Sequence, residues 1–92
     1  MIVWDERKRQ TNLAKHGLDF ADAHLVYDNP EKVTFSSSRH GEDRQLDVAI
    51  VETVARFLTL VYAARGQEIR IISFRASSRI ERREYEQHKK SD

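Results

Sequence analysis

Three arginines lie close together near the C-terminal end of the chain, in the segment from Arg70 to Arg79. The first part of this segment is typical of a strand, whose side chains alternate between two faces. Simple alternation predicts one face with Ile69, Ile71, Ser73 and Arg75 and an opposite face with Arg70, Ile72 and Phe74. If the isoleucine face packs on the core, Arg75 lies at its open end, in position to bind an anion. A carboxylate of the same chain, Glu42 or Glu81, is the alternative partner for this arginine.

The helix predicted after this strand carries a second set of cations. Spacings of three and four residues bring together a cluster of four charged side chains, with Tyr85 on an adjacent face: Arg79, Arg82, Arg83 and Glu86. Arg79 and Arg83 are like-charged neighbours on the helix, which is destabilising unless an anion lies between them. A bound phosphate would supply that anion. The glutamates of the same helix would do so equally in an ordinary solvated helix with internal ion pairs.

Two further clusters contain histidine, the side chain whose ordinary pKa lies closest to neutrality. Lys15 and His16 fall at the end of a predicted helix, where a cation also complements the helix dipole. In the functional interpretation His16 is an acid or a base, and Lys15 contacts phosphate. The loop from residue 39 to residue 44 brings His40 and Glu42 together with arginines at both ends. An exposed histidine in such a loop is also typical of a solvated surface.

The residue types exclude several kinds of chemistry. The chain has no Cys, which excludes disulfides, zinc–cysteine sites and thiol catalysis. Its four His show no metal-ligand spacing, and we expect no metal and no other cofactor. RNA cleavage remains compatible with the sequence, because the 2′-hydroxyl of RNA attacks its own neighbouring phosphate. The enzyme then supplies only a base, an acid and cations for the developing negative charge.

The net charge of +1 conceals an uneven distribution along the 92 residues. Residues 1–16 carry +2, residues 17–55 carry −5 and residues 56–92 carry +4. Eleven of the sixteen cations are Arg, the side chain that binds phosphate in a bidentate manner. The basic ends therefore favour an anionic partner, whereas a solvated surface of mixed charge is the alternative.

The elements that must position these residues begin with a short strand at Ile2-Val3-Trp4 and two helices. Asp5 can cap a helix that continues to about His16, and Gly17 is in the usual position to end it. Asp19 predicts the start of a second, short helix that stops before Pro30. The apolar face of that helix is expected to contain four residues: Phe20, Ala23, Val26 and Tyr27.

Four strands and a last helix follow. The strands are predicted at residues 32–36, 46–52, 57–64 and 69–74, joined by short links as in an antiparallel meander. Ser78 and Glu81 have the spacing of a capping box, which opens a helix to about Lys89. Ile80 and Tyr85 are its chief apolar anchors. We therefore expect a single α+β domain over residues 1–92, in the order β-α-α-β-β-β-β-α, with a four-stranded antiparallel sheet and helices packed on it.

Two motifs at opposite ends of the chain resemble the BrnT family of toxins from type II toxin–antitoxin systems. The opening motif runs from Trp4-Asp5 through Asn12 and Lys15-His16-Gly17 to Phe20. The closing motif runs from Arg70-Ile71-Ile72-Ser73 through Arg75 and Glu81-Arg82 to Tyr85. The chain departs from the family pattern at Phe74, where a small residue is common. The turn at residues 52–56 also lacks the usual Gly.

The resemblance implies a compact RelE-like fold and a metal-independent ribonuclease that cleaves RNA and arrests translation and growth. It also implies neutralisation by a cognate ribbon-helix-helix antitoxin, through which alone the complex would bind promoter DNA. Five matching positions are the catalytic candidates: His16, Arg75, Arg79, Glu81 and Tyr85. The candidates for RNA binding are four further matching positions and two arginines of the last helix: Lys15, Arg44, Arg65 and Arg70, with Arg82 and Arg83.

Two other functions use the same residues. A RelE-like toxin can block another protein without cutting RNA, since a fold does not fix the target. A binding module can hold nucleic acid on the basic surface without any chemistry. No segment approaches the length of a membrane span and the first residues do not resemble a signal peptide, so we expect a cytoplasmic protein with no membrane partner.

Overall fold

The computed structural model describes residues 1–37 and 43–91. Within these ranges the elements are β1 (Ile2–Val3), α1 (Glu6–His16), α2 (His24–Tyr27), β2 (Val33–Ser37), β3 (Arg44–Val51), β4 (Arg56–Arg65), β5 (Glu68–Ala76) and α3 (Arg79–Ser91). Short 3-10 turns precede α2 and connect β3 with β4. The α+β class and the predicted order of strands and helices are confirmed.

The sheet has five strands in the order β1-β5-β4-β3-β2. Strands β2 to β5 form the expected antiparallel meander. Strand β1 pairs with β5 in parallel, with Ile2 opposite Ile69 and Val3 opposite Arg70. The prediction of a four-stranded antiparallel sheet was therefore wrong, because a strand of two residues contributes too little local pattern to reveal that it joins the sheet edge.

Helix α1 begins and ends at the residues that the sequence predicted, Asp5 and Gly17. The Asp5 carboxylate accepts hydrogen bonds from the backbone N–H groups of Arg7 and Lys8, which starts α1. Gly17 ends α1 at φ 70°, a left-handed conformation that glycine adopts without steric cost. Ala55 takes a similar left-handed conformation, φ 53°, in the turn where the usual Gly is missing.

One face of the sheet, here called the covered face, lies under α1, α2 and the turn between them. Its buried core combines residues from three strands with three residues of the helical segment: Ala49, Val51, Leu58, Leu60, Tyr62, Ile71 and Phe74 with Phe20, Ala23 and Val26. Phe74 is completely buried there, so the large side chain at this position fills the core.

A buried carboxylate also lies on the covered face. Asp47 is fully buried and accepts hydrogen bonds from Lys32 Nζ at 2.7 Å, Thr34 Oγ1 at 2.6 Å and the Tyr62 hydroxyl at 3.1 Å. Burial and the Asp47 charge raise the pKa of the Tyr62 hydroxyl, which therefore stays protonated. Three donors thus satisfy a charge that burial would otherwise penalise.

The opposite face, here called the open face, is only partly covered, by α3. Tyr85 is the buried anchor of α3 and packs with Val33 and Val48, while its ring meets Phe57 edge to face. Ile80, the other predicted anchor, is 67% exposed. The helix therefore covers the open face at one end and leaves the other end accessible.

A bulge in β5 changes the predicted faces of this strand. Tyr62 of β4 lies opposite Ile71, and the preceding Val61 lies opposite Ser73, so Ile72 is an extra residue without a partner in β4. A bulge of this kind interrupts the alternation of side chains. Ile71 and Phe74 consequently share the covered face, and Ser73 and Arg75 lie on the open face. The prediction that Ile69, Ile71, Ser73 and Arg75 share one face was wrong.

None of the helices in the described ranges combines the length and apolar composition needed to cross a membrane.

Candidate active site on the open face

The central feature of the open face is an ion pair between β5 and α3. Arg75 donates two parallel hydrogen bonds to Glu81, from Nη1 to Oε1 and from Nη2 to Oε2, each at 2.8 Å. The bidentate geometry fixes the plane of the guanidinium group. Glu81 was one of the two carboxylates expected as an intramolecular partner of Arg75.

Two further donors hold the Glu81 carboxylate. The backbone N–H of Ser78 donates to Oε1 at 2.8 Å, and Thr59 Oγ1 donates to the same oxygen at 3.0 Å. The Glu81 N–H donates in return to Ser78 Oγ, which completes the predicted capping box. Burial alone would raise the pKa of Glu81, but Arg75, Ser78 and Thr59 outweigh it and lower the pKa to about 2.

A cleft of about 330 Å³ opens beside this pair, here called the Arg75 cleft. It lies on the end of the open face that α3 does not cover, and its described lining comes from four strands and α3: Ser37, Arg44, Leu46, Val61, Ile72, Ser73, Arg75 and Glu81. Among these described residues, two guanidinium groups and one carboxylate give the lining a surplus of positive charge. The Arg75 side chain is 28% exposed, so part of its charge faces the cleft.

The end of α1 is fixed next to the cleft by Asn12. The Asn12 amide donates to the carbonyl of Phe74 at 2.8 Å and accepts from the Phe74 N–H at 3.1 Å. These are the two hydrogen bonds that a neighbouring strand would make to β5. The pairing of β1 with β5 ends at Arg70. Beyond that residue, the Asn12 side chain takes the place of the neighbouring strand and satisfies the backbone of Phe74. Lys15 and His16 are thereby held beside Ser73 and Arg75.

His16 is half-buried at this end of α1. Its pKa is lowered by burial first, and then by the positive charges of Lys15 and Arg75. The imidazole is therefore neutral at neutral pH and has a nitrogen lone pair that can accept a proton.

The structure brings together only some of the predicted site residues. Arg44, Arg75 and Glu81 line the Arg75 cleft, and Lys15 and His16 line an adjoining groove. Arg79, Arg82 and Arg83 line a separate, smaller pocket with Glu86 on the exposed side of α3. The cluster predicted from helical spacing is confirmed, but it does not line the cleft.

Three other candidates lie outside the cleft. Arg65 and Arg70 are exposed near the β4–β5 turn, where Arg70 pairs with Glu68 at 3.3 Å. Tyr85 is buried under α3, and its hydroxyl donates to the carbonyl of Glu31 at 3.2 Å. His40 and Glu42, from the predicted loop between residues 39 and 44, lie outside the described residues. Within the described ranges, no three His, Asp or Glu side chains converge as metal ligands would.

Sequence reasoning missed the residues that position the site. Asn12 was noted only as part of a motif, although a polar side chain on the inner face of a helix is itself a signal of a buried partner. Ser37 and Ser73 line the cleft, and nothing in their local sequence distinguishes them. Arg7 and Lys8 line the groove beside His16; their spacing of seven and eight residues from Lys15 predicts a shared helix face.

Comparison with known proteins gives one match and one negative result. The model of a family described as "Ribonuclease toxin, BrnT, of type II toxin-antitoxin system" matches residues 4–81. The match covers most of the chain, including α1, strands β2 to β5 and the Arg75–Glu81 pair. No curated protein matches the chain.

Proposed function

Because the chain belongs to the BrnT family of ribonuclease toxins of type II toxin–antitoxin systems, we propose that it is an endoribonuclease that cleaves RNA without a metal ion and thereby arrests translation. Membership of such a system implies an antitoxin partner. The observation that carries the proposal is the Arg75 cleft together with the groove beside it: Glu81 holds a partly exposed guanidinium group in the cleft, and the neutral imidazole of His16 lines the adjoining groove.

In the proposed reaction the 2′-hydroxyl oxygen of one nucleotide attacks the adjacent phosphorus. His16 accepts the 2′-proton, for which its lowered pKa keeps it in the neutral form. The bond from phosphorus to the 5′-oxygen of the next nucleotide breaks, and that oxygen takes up a proton from solvent or from a protonated side chain. The products are a 2′,3′-cyclic phosphate and a free 5′-hydroxyl.

Arg75 is the proposed group for stabilising the negative charge that develops on the phosphate oxygens. Arg44, across the cleft, is the proposed second cation, and Lys15 contacts phosphate from α1. Glu81 has a pKa of about 2, too low for it to serve as a base near neutral pH. We therefore assign Glu81 the role of holding Arg75 in one orientation. Arg79, Arg82 and Arg83 remain candidates for contacts with more distant phosphates.

Cleavage of an end-labelled single-stranded RNA in the presence of EDTA tests the proposal. Wild type should cut and leave cyclic phosphate ends. His16→Ala should reduce the rate about a hundredfold or more. Arg75→Lys should also slow cleavage strongly, since lysine keeps a charge to balance Glu81 but cannot make the bidentate contact.

Lys90→Ala is the matched control, because it removes an exposed cation on α3 far along the helix from Glu81. Circular dichroism checks that every variant is folded. The proposal is wrong if wild type requires a metal ion, or if His16→Ala and Arg75→Lys cleave like wild type. Growth arrest with intact RNA would instead support a toxin that blocks its target without cleaving RNA.

The antitoxin is proposed to be a ribbon-helix-helix protein that neutralises the toxin in the cytoplasm and supplies the contacts to promoter DNA. Co-expression tests the first part, since arrest should disappear when the neighbouring gene is expressed. A mobility-shift assay tests the second: the complex and the antitoxin should shift promoter DNA, and the toxin alone should not. A shift by the toxin alone would contradict this assignment.

A further inference from the structure

A groove of about 400 Å³ separates α1 from β5, here called the α1 groove. Arg7, Lys8 and Lys15 supply three cations along its length, and Ile72 and Ser73 form its floor. Of the residues that the structure describes, no Asp or Glu lines it. The groove is therefore uniformly positive along one side of α1.

The charges on α1 are sorted between its two sides. Arg9 lies outside the groove and pairs with Asp19 at 2.8 Å and with Glu6. Hydrogen bonds from Arg9 lower the pKa values of both carboxyl groups. No Asp or Glu of the described residues forms an ion pair with Arg7, Lys8 or Lys15. The acidic residues of this region thus neutralise the far side of the helix and leave the groove side positive.

Arg7 and Lys8 also occupy positions that are unfavourable for helix stability. Both belong to the first turn of α1, where the helix dipole repels cations. Lys15 in the last turn complements the dipole and has a structural reason to be basic, but Arg7 and Lys8 have none. A bound anion removes the penalty, which favours a ligand in the groove over a solvated surface.

The α1 groove is continuous with the Arg75 cleft. The bulged residue Ile72 and the following Ser73 line both the groove and the cleft. From Lys8 to Lys15 the helix rises about 10 Å, so the cations extend away from the cleft along a line rather than around a point. An extended polyanion that enters the cleft can continue along this line.

We propose that the α1 groove is a second RNA subsite, in which Arg7 and Lys8 bind phosphates of nucleotides flanking the cleaved bond. The inference rests on the proposed ribonuclease function. Single-stranded RNA is the occupant that fits, because its backbone repeats a negative charge and its passage through the cleft leads into the groove. The half-buried Ile72 offers an apolar contact to a base or ribose at the junction.

The test uses the double variant Arg7→Ser/Lys8→Ser and two RNA substrates. On a single-stranded RNA of about a dozen nucleotides, we expect KM to rise roughly tenfold and kcat to stay within twofold. On a dinucleotide, which has only the phosphate that is cleaved, both parameters should equal those of wild type. Arg56→Ser/Lys90→Ser, which removes two exposed cations elsewhere, is the matched control and should leave both substrates unaffected.

A binding measurement keeps the subsite testable independently of cleavage. RNA with 2′-O-methyl groups lacks the attacking hydroxyl, so fluorescence anisotropy reports its affinity whether or not the chain is a nuclease. The double variant should weaken binding, and its salt dependence should be shallower by about 1.4 in log Kd against log salt, at roughly 0.7 for each lost phosphate contact.

Two results would overturn the subsite. One is binding of the methylated RNA by the double variant with wild-type affinity and wild-type salt slope. The other is unchanged RNA binding with loss of antitoxin binding, which would assign the groove to an acidic segment of that protein. Loss of RNA affinity in a chain that shows no cleavage would uphold the subsite and reject the proposed reaction.

Discussion

The carboxylates of Asp47 and Glu81 lie against opposite faces of the same sheet, and a cation and at least one hydroxyl group hold each of them. Asp47 is fully buried on the covered face, with Lys32, Thr34 and Tyr62 as its partners. The Glu81 side chain remains 16% exposed on the open face, and its partner Arg75 is 28% exposed. The two cations are exposed to similar extents, Lys32 at 25% and Arg75 at 28%, so the difference lies in the carboxylates: Asp47 is completely enclosed and Glu81 is not. The enclosure of the carboxylate, more than the presence of an ion pair, distinguishes the structural contact from the candidate site.

The largest effect is expected for Asp47→Ala. Removing one partner of a buried charged network should lower the free energy of unfolding by about 3–5 kcal/mol, because the Tyr62 and Thr34 hydroxyls and the Lys32 amine lose their acceptor. Urea denaturation followed by circular dichroism measures this change. Glu68→Ala, which breaks the exposed pair with Arg70, is the control and should cost under about 1 kcal/mol. Equal effects of the two substitutions would show that the buried Asp47 network stabilises the fold no more than an exposed ion pair does.

A smaller, pH-dependent effect is expected for Glu81→Gln. The pKa of Glu81 is about 2 in the folded chain and 4.5 as a free side chain. Its contribution, roughly 3 kcal/mol, is therefore present above about pH 4.5 and is lost as the pH falls towards 2. Urea denaturation at several pH values should show wild type to be more stable than the variant at pH 7 and nearly equal at pH 2. A constant difference over this range would show that the Glu81 charge does not stabilise the fold.

The smallest effect is expected for Tyr85→Phe, at the covered end of the open face. Loss of the hydrogen bond to Glu31 should cost about 1 kcal/mol, measured by thermal denaturation. RNA cleavage should stay within twofold of wild type, because the structure does not bring this hydroxyl to the Arg75 cleft. A hundredfold loss of cleavage in a stably folded variant would restore Tyr85 to the catalytic candidates.

Local signals explain why the order of elements was predictable from the sequence. Asp5 and Gly17 at the ends of α1, and Ser78 with Glu81 at the start of α3, act through contacts with backbone a few residues away. Such contacts depend on residue type and spacing, both of which the sequence displays. The Arg75–Glu81 pair could be predicted for the same reason, since its members are only six positions apart.

Contacts between distant parts of the chain were not predictable in this way. The parallel pairing of β1 with β5 joins residues 67 positions apart. The bulge at Ile72 follows from the register of β5 against β4, which no pattern within β5 records. Asn12 bonds to Phe74 across 62 positions. These three contacts set the arrangement of α1, β1 and β5, so the predicted groups were known from the sequence but their arrangement in space was not.

The extra residue in β5 has a consequence for comparing this chain with its relatives. Because Ile72 is the residue without a partner in β4, a relative with a one-residue deletion there regains a regular strand and keeps the same side chains on each face. A gap opposite Ile72 in an alignment is therefore compatible with an intact arginine–glutamate pair. A one-residue gap between Ser73 and Arg75 would instead turn the arginine to the covered face, towards α1 and α2. Whether a relative keeps the site therefore depends on where in β5 the deletion falls, more than on the deletion itself.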